Sequence, residues 1–332
     1  MHKTQLPFNV IAALVLGMLS TCGLVAQTAA PERVPTARMV VTEEPRHGSN
    51  ESTVQTQDVT VYQGHERDEI TRWVPARGPY AGLELYILLD NDSAPMVDTQ
   101  LGDLRNFIME QPTSAKVGIA YMQNGIARVA QEPTTDHNLA AKALRPVLNI
   151  GGINGSPYFA LSNLVKHWPD SQNRREVLMI SDGVDRYYEQ NDIFDPYLAK
   201  SIDDAQRAGV VVSVIYTPGA GTFYRSSWQT LWGQTYLAQV AKETGGQSYY
   251  LGFDRPAVAF APFLDDLANR LNHQYLLSFR AEPGKRAGLE DVKVNRSCAV
   301  EEVSPLPTIP DHQSLHYNRV ISRLSGSFSP SR

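Results

Sequence analysis

Two aspartates separated by one residue follow an apolar segment, and their types and spacing are suited to chemistry. The segment YILLDNDSAPM covers residues 86–96 and places Asp90 and Asp92 directly after four apolar residues. Carboxylates this close repel each other, so a compensating group is expected nearby. That group is a metal ion, a basic side chain or a proton shared by the two carboxylates.

Alternating strand and helix patterns must position these carboxylates. The segments LELYILLD, EVLMIS and VVVSVIY are continuous and apolar, which is typical of strands covered on both faces. Segments with helical spacing lie between them, such as MVDTQLGDLRNFIMEQ. We therefore predict an α/β fold with a Rossmann-like, open and mostly parallel sheet that carries helices on both faces.

The strand EVLMIS also runs directly into an aspartate, Asp182. Sheets of this kind bind ligands at the carboxyl ends of their strands. Asp90, Asp92 and Asp182 are therefore expected to converge in one crevice. One use for such a site is to hold Mg²⁺ or Ca²⁺, which prefer oxygen ligands. An arginine placed between these carboxylates would contradict that use.

The order of several segments resembles the von Willebrand factor A (VWFA) domain, especially the secreted bacterial branch of VWFA-related proteins. The resemblance covers roughly residues 55–296 and includes KVGIAYMQNGIARV, VLMISDG, KETGGQSYY and QYLLSF. It implies a binding or adhesion module rather than an enzyme, with a protein partner and a degenerate metal-ion-dependent adhesion site.

The resemblance also implies which residues form that site. The metal ligands would be Asp90, Asp92, Ser156 and Asp182, while Ala94 replaces a hydroxyl ligand of the family pattern. The implied ion is Mg²⁺, with Ca²⁺ or Mn²⁺ as alternatives.

A catalytic alternative starts from the same residues. ILLDNDS also fits the first motif of the haloacid-dehalogenase-like phosphatases, with Asp90 as nucleophile, Asp92 as general acid/base and Ser181 as phosphate ligand. This chemistry needs another acidic pair at the end of a later strand. The later strands end in Thr217 and Gly252 instead, so the sequence favours binding over catalysis.

Residues 216–237 are rich in aromatic side chains and are predicted to form a rim of the crevice. Aromatic residues and arginine are enriched at recognition surfaces, so we predict that Tyr224, Arg225 and Trp228 contact the partner. Alternatively, Trp228 and Trp232 pack one helical turn against the core. The segment DRYYEQNDIFDPY is a second candidate for the rim.

The N-terminus has the pattern of a secretory signal peptide over residues 1–30, with cleavage after Ala26 or Ala30. A lipid anchor at Cys22 is an alternative. We expect an exported protein (periplasmic, cell-surface or secreted) without a membrane span. The net charge of −5 and the lack of a basic run argue against nucleic acid as a partner.

The remaining boundaries follow from changes in composition along the chain. The predicted segments are a linker at 31–53, a β-hairpin extension at 54–80, the VWFA-like domain at 81–302 and a flexible tail at 303–332.

Overall fold

The computed structural model describes residues 36–43, 54–93, 95–147, 155–188, 195–219, 227–250, 259–280, 292–296 and 323–324. All of them belong to one compact unit, Val34–Arg332. The predicted signal peptide with Cys22, Ala26 and Ala30 lies outside the described residues, as do Ala94, Tyr224 and Arg225. Over the ranges that the structure describes, no helix has the length and apolar character needed to cross a membrane.

Strands and helices alternate through most of the described chain. The strands are β1 (Thr36–Thr42), β2 (Val59–Gln63), β3 (Glu66–Asp68), β4 (Ile70–Pro75), β5 (Leu83–Asp90), β6 (Ala115–Gln123), β7 (Ile126–Thr134), β8 (Arg174–Ser181), β9 (Val210–Tyr216), β10 (Ser248–Tyr249), β11 (Gln274–Arg280), β12 (Val292–Arg296) and β13 (Arg323–Leu324). The helices are α1 (Leu101–Glu110), α2 (His137–Lys142), α3 (Pro157–His167), α4 (Pro196–Ala208), α5 (Ser227–Thr244) and α6 (Ala261–Asn272).

The central sheet has the strand order β10-β9-β8-β5-β6-β7. Its strands are parallel except for β7, which pairs antiparallel with β6 at the edge. Counted from β5 along the chain, this is the doubly wound order 3-2-1-4-5-6. The predicted α/β class with a mostly parallel sheet is thus confirmed. The order reverses between β5 and β8, and ligands of such sheets bind at this switch point.

Both faces of the central sheet are covered by helices, as continuous apolar strands require. Along β5, Leu85, Ile87 and Leu89 join one apolar cluster with residues of α1, α2 and α6. Tyr86 and Leu88 point to the opposite face and join a second cluster with residues of α3, α4 and α5. The sheet therefore holds its strand ends between two packed layers.

Two smaller sheets lie outside the central one. Their orders are β13-β1-β11-β4 and β12-β2-β3. The predicted hairpin is present as β2 and β3 around Gly64, but the second predicted strand divides, and Ile70–Pro75 pairs with β11 instead. The predicted strand QYLLSF likewise belongs to this small sheet and not to the central one.

The predicted linker at 31–53 contains a strand, which corrects that interpretation. β1 pairs antiparallel with β11 over its whole length. The sequence TARMVVT alternates in burial, with Ala37 fully buried and Met39 nearly so, because the edge of β11 offers both hydrogen-bonding groups and an apolar surface. In the predicted tail, Arg323–Leu324 pairs with β1.

Two buried glutamates lie near the amino ends of the central strands, far from the switch-point crevice. Glu84 on β5 accepts hydrogen bonds from Asn173, Trp168, Ser171 and Lys116. Burial alone would raise the pKa of Glu84, but these four donors bring it below its ordinary value.

Glu176 on β8 has one strong donor instead of four. Gln274 Nε2 donates to its Oε1 at 2.8 Å. Burial raises the pKa of Glu176 to about 7, although this hydrogen bond and the charge of Arg174 act in the opposite direction. The pKa values of the two glutamates are therefore shifted in opposite directions.

A charged crevice at the carboxyl ends of β5 and β8

Asp90 lies at the switch point, as the last residue of β5 beside the end of β8. Its Oδ2 accepts a hydrogen bond from Ser181 Oγ at 2.6 Å, and its Oδ1 accepts one from the backbone N–H of Asp92 at 2.9 Å. The residue is only 4% exposed. Burial, helped by the charge of Asp182, raises the pKa of Asp90 to about 6, so the surroundings disfavour the charged form of this carboxyl group.

Arg186 supplies the counter-charge of the crevice. Its Nη2 lies 2.9 Å from Asp182 Oδ2, and its Nη1 lies 3.6 Å from Asp92 Oδ2. Burial opposes the charged guanidinium, but the carboxylates of Asp182, Asp90 and Asp92 raise the pKa of Arg186 above its ordinary value. Of the three counter-groups expected from the sequence, the structure contains the basic side chain.

The loop after β8 fixes the guanidinium in place. Gly183 has a left-handed φ of +68°, which turns the chain sharply after Asp182. Asp182 Oδ1 accepts a hydrogen bond from the Val184 N–H at 2.9 Å. The Arg186 N–H donates to the Gly155 carbonyl at 3.1 Å, which ties this loop to the start of α3. The hydrogen bonds made by the N–H groups of Val184 and Arg186 therefore orient Arg186 toward the carboxylates.

Ser156, predicted as a metal ligand, caps a helix instead. Its Oγ accepts a hydrogen bond from the Phe159 N–H at 3.4 Å at the first turn of α3. The same hydroxyl donates to Asp185 Oδ2 at 2.6 Å. Asp185 in turn accepts from the N–H groups of Tyr187 and Tyr188 through its Oδ1. The structure thus pairs two of the four predicted ligands, Asp92 and Asp182, with Arg186. Asp90 accepts from Ser181 and the Asp92 N–H, and Ser156 caps α3.

This arrangement does not fit a divalent cation. In the described part of the chain, no group of three or more His, Cys, Asp or Glu side chains is placed to hold a metal ion. The guanidinium of Arg186 pairs with Asp92 and Asp182, and Ser156 turns to Asp185. An ion such as Mg²⁺, Ca²⁺ or Mn²⁺ would have to displace these partners first.

Exposed aromatic side chains lie on α5 and on the loop after β8. Trp228, in the first turn of α5, is 66% exposed, whereas Trp232 packs against Tyr236 with ring centroids 5.7 Å apart. Of the two predicted roles, core packing therefore holds for Trp232 and not for Trp228. On the β8 loop, Tyr187 is 54% exposed and contacts the ring of Phe159. A shallow depression separates the two elements, lined by Val184, Asp185, Tyr188, Gln229 and Trp232 among others.

Sequence reasoning placed Asp185 and Arg186 in the candidate rim segment DRYYEQNDIFDPY but gave neither a role beside the carboxylates. Both stand in SDGVDR, directly after the motif that was identified. The signal was a basic residue four positions after Asp182, in a loop that glycine allows to turn back.

Comparisons with known proteins find similarity among solved structures and not among sequences. No family model matches the sequence, and no curated protein matches it. Among solved structures, the chain is similar to an aerotolerance-related membrane protein from Bacteroides fragilis NCTC 9343 carrying multiple mutations to serine. The identity is 15%, the TM-score is 0.42, and the match covers 57% of this chain and 99% of that one.

The chain is also similar to the SpRpn10 VWA domain. Here the identity is 14%, the TM-score is 0.33, and the match covers 56% of this chain and 93% of that one. A solved VWA domain is thus among the structures to which the chain is similar.

Proposed function

We propose that this chain is a protein-binding module whose partner contacts the surface around the switch-point crevice. The observation that carries this proposal is the pair of exposed aromatic side chains on the two elements next to the charged cluster. Tyr187 directly follows Arg186, and Trp228 is on the first turn of α5, the helix whose Gly233 packs against the Asp182 carbonyl. Exposed aromatics next to buried, oriented charges are typical of recognition sites. The switch point of a doubly wound sheet is also where such folds bind ligands.

We propose a role in binding and not in catalysis. Asp90 is only 4% exposed and both of its oxygens accept internal hydrogen bonds, so a phosphoester has little access to it. Ser181, the expected phosphate ligand, donates to Asp90. Phosphatase chemistry also needs a lysine near the phosphate, but the candidates Lys166 and Lys200 both pair with Asp204 on α4. No observation on these residues favours the phosphatase alternative.

The proposal includes an extracytoplasmic partner. The signal-peptide pattern of residues 1–30 supports export, and the aromatic rim would then meet its partner outside the cytoplasm. We also propose that Tyr224 and Arg225 contact the same partner as Trp228.

Site-specific photo-crosslinking tests the contact surface. A photoreactive phenylalanine analogue placed at position 187 or 228 in the full chain, expressed in its native host, should give the same discrete adduct. Met109 is the matched control, since it is 47% exposed but lies on the last turn of α1, toward the amino ends of the strands. Equal labelling from position 109, or no adduct from 187 and 228, would refute the proposal.

Once the crosslinked partner is identified, an alanine variant measures the contribution of the rim. Trp228→Ala should weaken binding at least tenfold, or by about 1.4 kcal/mol, because exposed tryptophans often dominate interface energies. Met109→Ala should leave the affinity unchanged. Circular dichroism of both variants should match the wild type, since both side chains project into solvent.

A further inference from the structure

We infer that Arg186 is the resident cation of this crevice and that the site works without a metal ion. The VWFA resemblance implies a divalent cation at Asp90, Asp92 and Asp182, and the guanidinium occupies its role instead. This inference concerns the charge balance of the site, so it stands or falls independently of the partner.

The first argument is that the carboxylate oxygens of the crevice already accept hydrogen bonds from the protein. Both oxygens of Asp90 accept protein hydrogen bonds, from Ser181 and from the Asp92 N–H. Asp182 accepts from Val184 at one oxygen and from Arg186 at the other. Asp92 faces the same guanidinium at 3.6 Å. A metal placed between Asp92 and Asp182 would therefore have to displace the Arg186 guanidinium.

The second argument is that Arg186 is preorganised. Its backbone N–H is bound by the Gly155 carbonyl, and the preceding loop is fixed by the Asp182–Val184 hydrogen bond. Its side chain is 19% exposed. A side chain held on both the backbone and the guanidinium side loses little freedom when it pairs with the carboxylates, which favours it over an ion recruited from solution.

The third argument is that the set of hydroxyl ligands is incomplete. Ala94 has no side-chain oxygen, and the Ser156 hydroxyl is held between the Phe159 N–H and Asp185. Mg²⁺ demands near-octahedral oxygen coordination, so the missing ligand at position 94 weakens its binding further.

The chemical consequence is that the site recognises partner groups differently from a metal site. A bound Mg²⁺ offers an open coordination position for a carboxylate of a partner. The guanidinium carries one positive charge, has no coordination sphere and donates hydrogen bonds in one plane. Chelators should therefore leave the crevice and any binding through it unchanged.

Metal titration of the full chain and of an Arg186 variant tests this inference. The probes are Mn²⁺, followed by the electron paramagnetic resonance signal of the free ion, and the melting temperature in EDTA, Mg²⁺ or Mn²⁺. The wild type should take up no Mn²⁺ at this site and should melt at the same temperature in all three conditions. Arg186→Met removes the charge while keeping most of the side-chain length, and its melting temperature should rise when Mn²⁺ is added.

Two further variants make the result specific. Arg186→Lys keeps a positive charge and should gain no Mn²⁺ response. Arg186→Met combined with Asp182→Asn should lose the gain, because a ligand has been neutralised. If Arg186→Met does not fold in EDTA, refolding in Mn²⁺ should recover it. Stoichiometric Mn²⁺ uptake by the wild type that Asp90→Ala abolishes, or no gain in Arg186→Met under either protocol, would overturn the inference.

Discussion

The guanidinium of Arg186 lies 2.9 Å from the carboxylate of Asp182, four residues earlier in the same loop. The loop at the end of β8 therefore carries both an acid of the crevice and its counter-charge. Since the two residues are joined by a short, hydrogen-bonded segment, neither can be displaced without disturbing the turn at Gly183. The stability of this loop and the proposed recognition surface therefore involve the same few residues.

Replacing Arg186 by methionine should destabilise the fold strongly. The change leaves the buried carboxylates Asp90 and Asp182 without their cation, and breaking a buried pair in this way costs about 3–5 kcal/mol. Urea unfolding in the absence of divalent ions measures the loss. The control is Arg207→Met, which removes an exposed pair with Asp203 and should change the free energy of unfolding by less than about 0.5 kcal/mol. Similar losses in both variants would contradict the assignment.

Gly183→Ala should be much more damaging than Gly64→Ala. Both glycines have positive φ, +68° and +59°, so each substitution incurs backbone strain of about 1–2 kcal/mol. A Cβ at position 183 would also lie 2.3 Å from the Gly233 carbonyl oxygen, whereas a Cβ at position 64 meets nothing within 4 Å. We expect a total loss of about 3 kcal/mol or more at Gly183. Thermal unfolding of the two variants provides the comparison, and equal melting temperatures would show that α5 does not press on this loop.

Glu176→Gln should change how stability depends on pH. The pKa of Glu176 is raised from 4.5 to about 7, so folding favours its protonated form. The stabilisation is complete below pH 4.5 and is lost as the pH rises through 7. The glutamine variant stays neutral, so its advantage over the wild type should grow across this window by about 3 kcal/mol. Urea midpoints measured at several pH values test this; an unchanged difference would refute it.

Glu84→Gln is the matched contrast, with the opposite sign. Its lowered pKa means that the charged form stabilises the fold above the ordinary value of 4.5, and that this contribution is lost as the pH falls through the lowered pKa. The glutamine variant should therefore be less stable than the wild type at neutral pH, and the difference should shrink in acid. If both glutamine variants shifted in the same direction, the environment of one glutamate would be wrongly described.

The sequence was sufficient for β5, β8 and β9 because these central strands are largely apolar and buried along their whole length. The same strands place their terminal residues at one edge, so the meeting of Asp90 with the end of β8 could also be predicted. The pairing of β1 could not, because its partner β11 is remote in the chain and only the fold brings its edge close. Composition around β1, rich in proline and polar residues, concealed a short alternating pattern.

The candidate site was predictable in position but not in chemistry. A pair of carboxylates demands a cation and does not say which kind. The choice depended on the direction of one side chain, Arg186, and that direction is set by a left-handed glycine and a hydrogen bond to Gly155. Ser156 shows the same limit, since its hydroxyl donates a hydrogen bond to Asp185 and not to the aspartates at the strand ends.

The pairing of Thr36 with Arg280 has a consequence for synthesis. As the chain leaves the ribosome or a translocation channel, the segment Thr36–Thr42 emerges early, but residues 274–280 that receive it emerge only after the whole central sheet has been made. Until then, the alternating apolar segment Thr36–Thr42 has no β11 edge to pair with, so it is prone to aggregation. A holding chaperone that covers this segment would raise the yield of the folded protein without affecting the mature molecule.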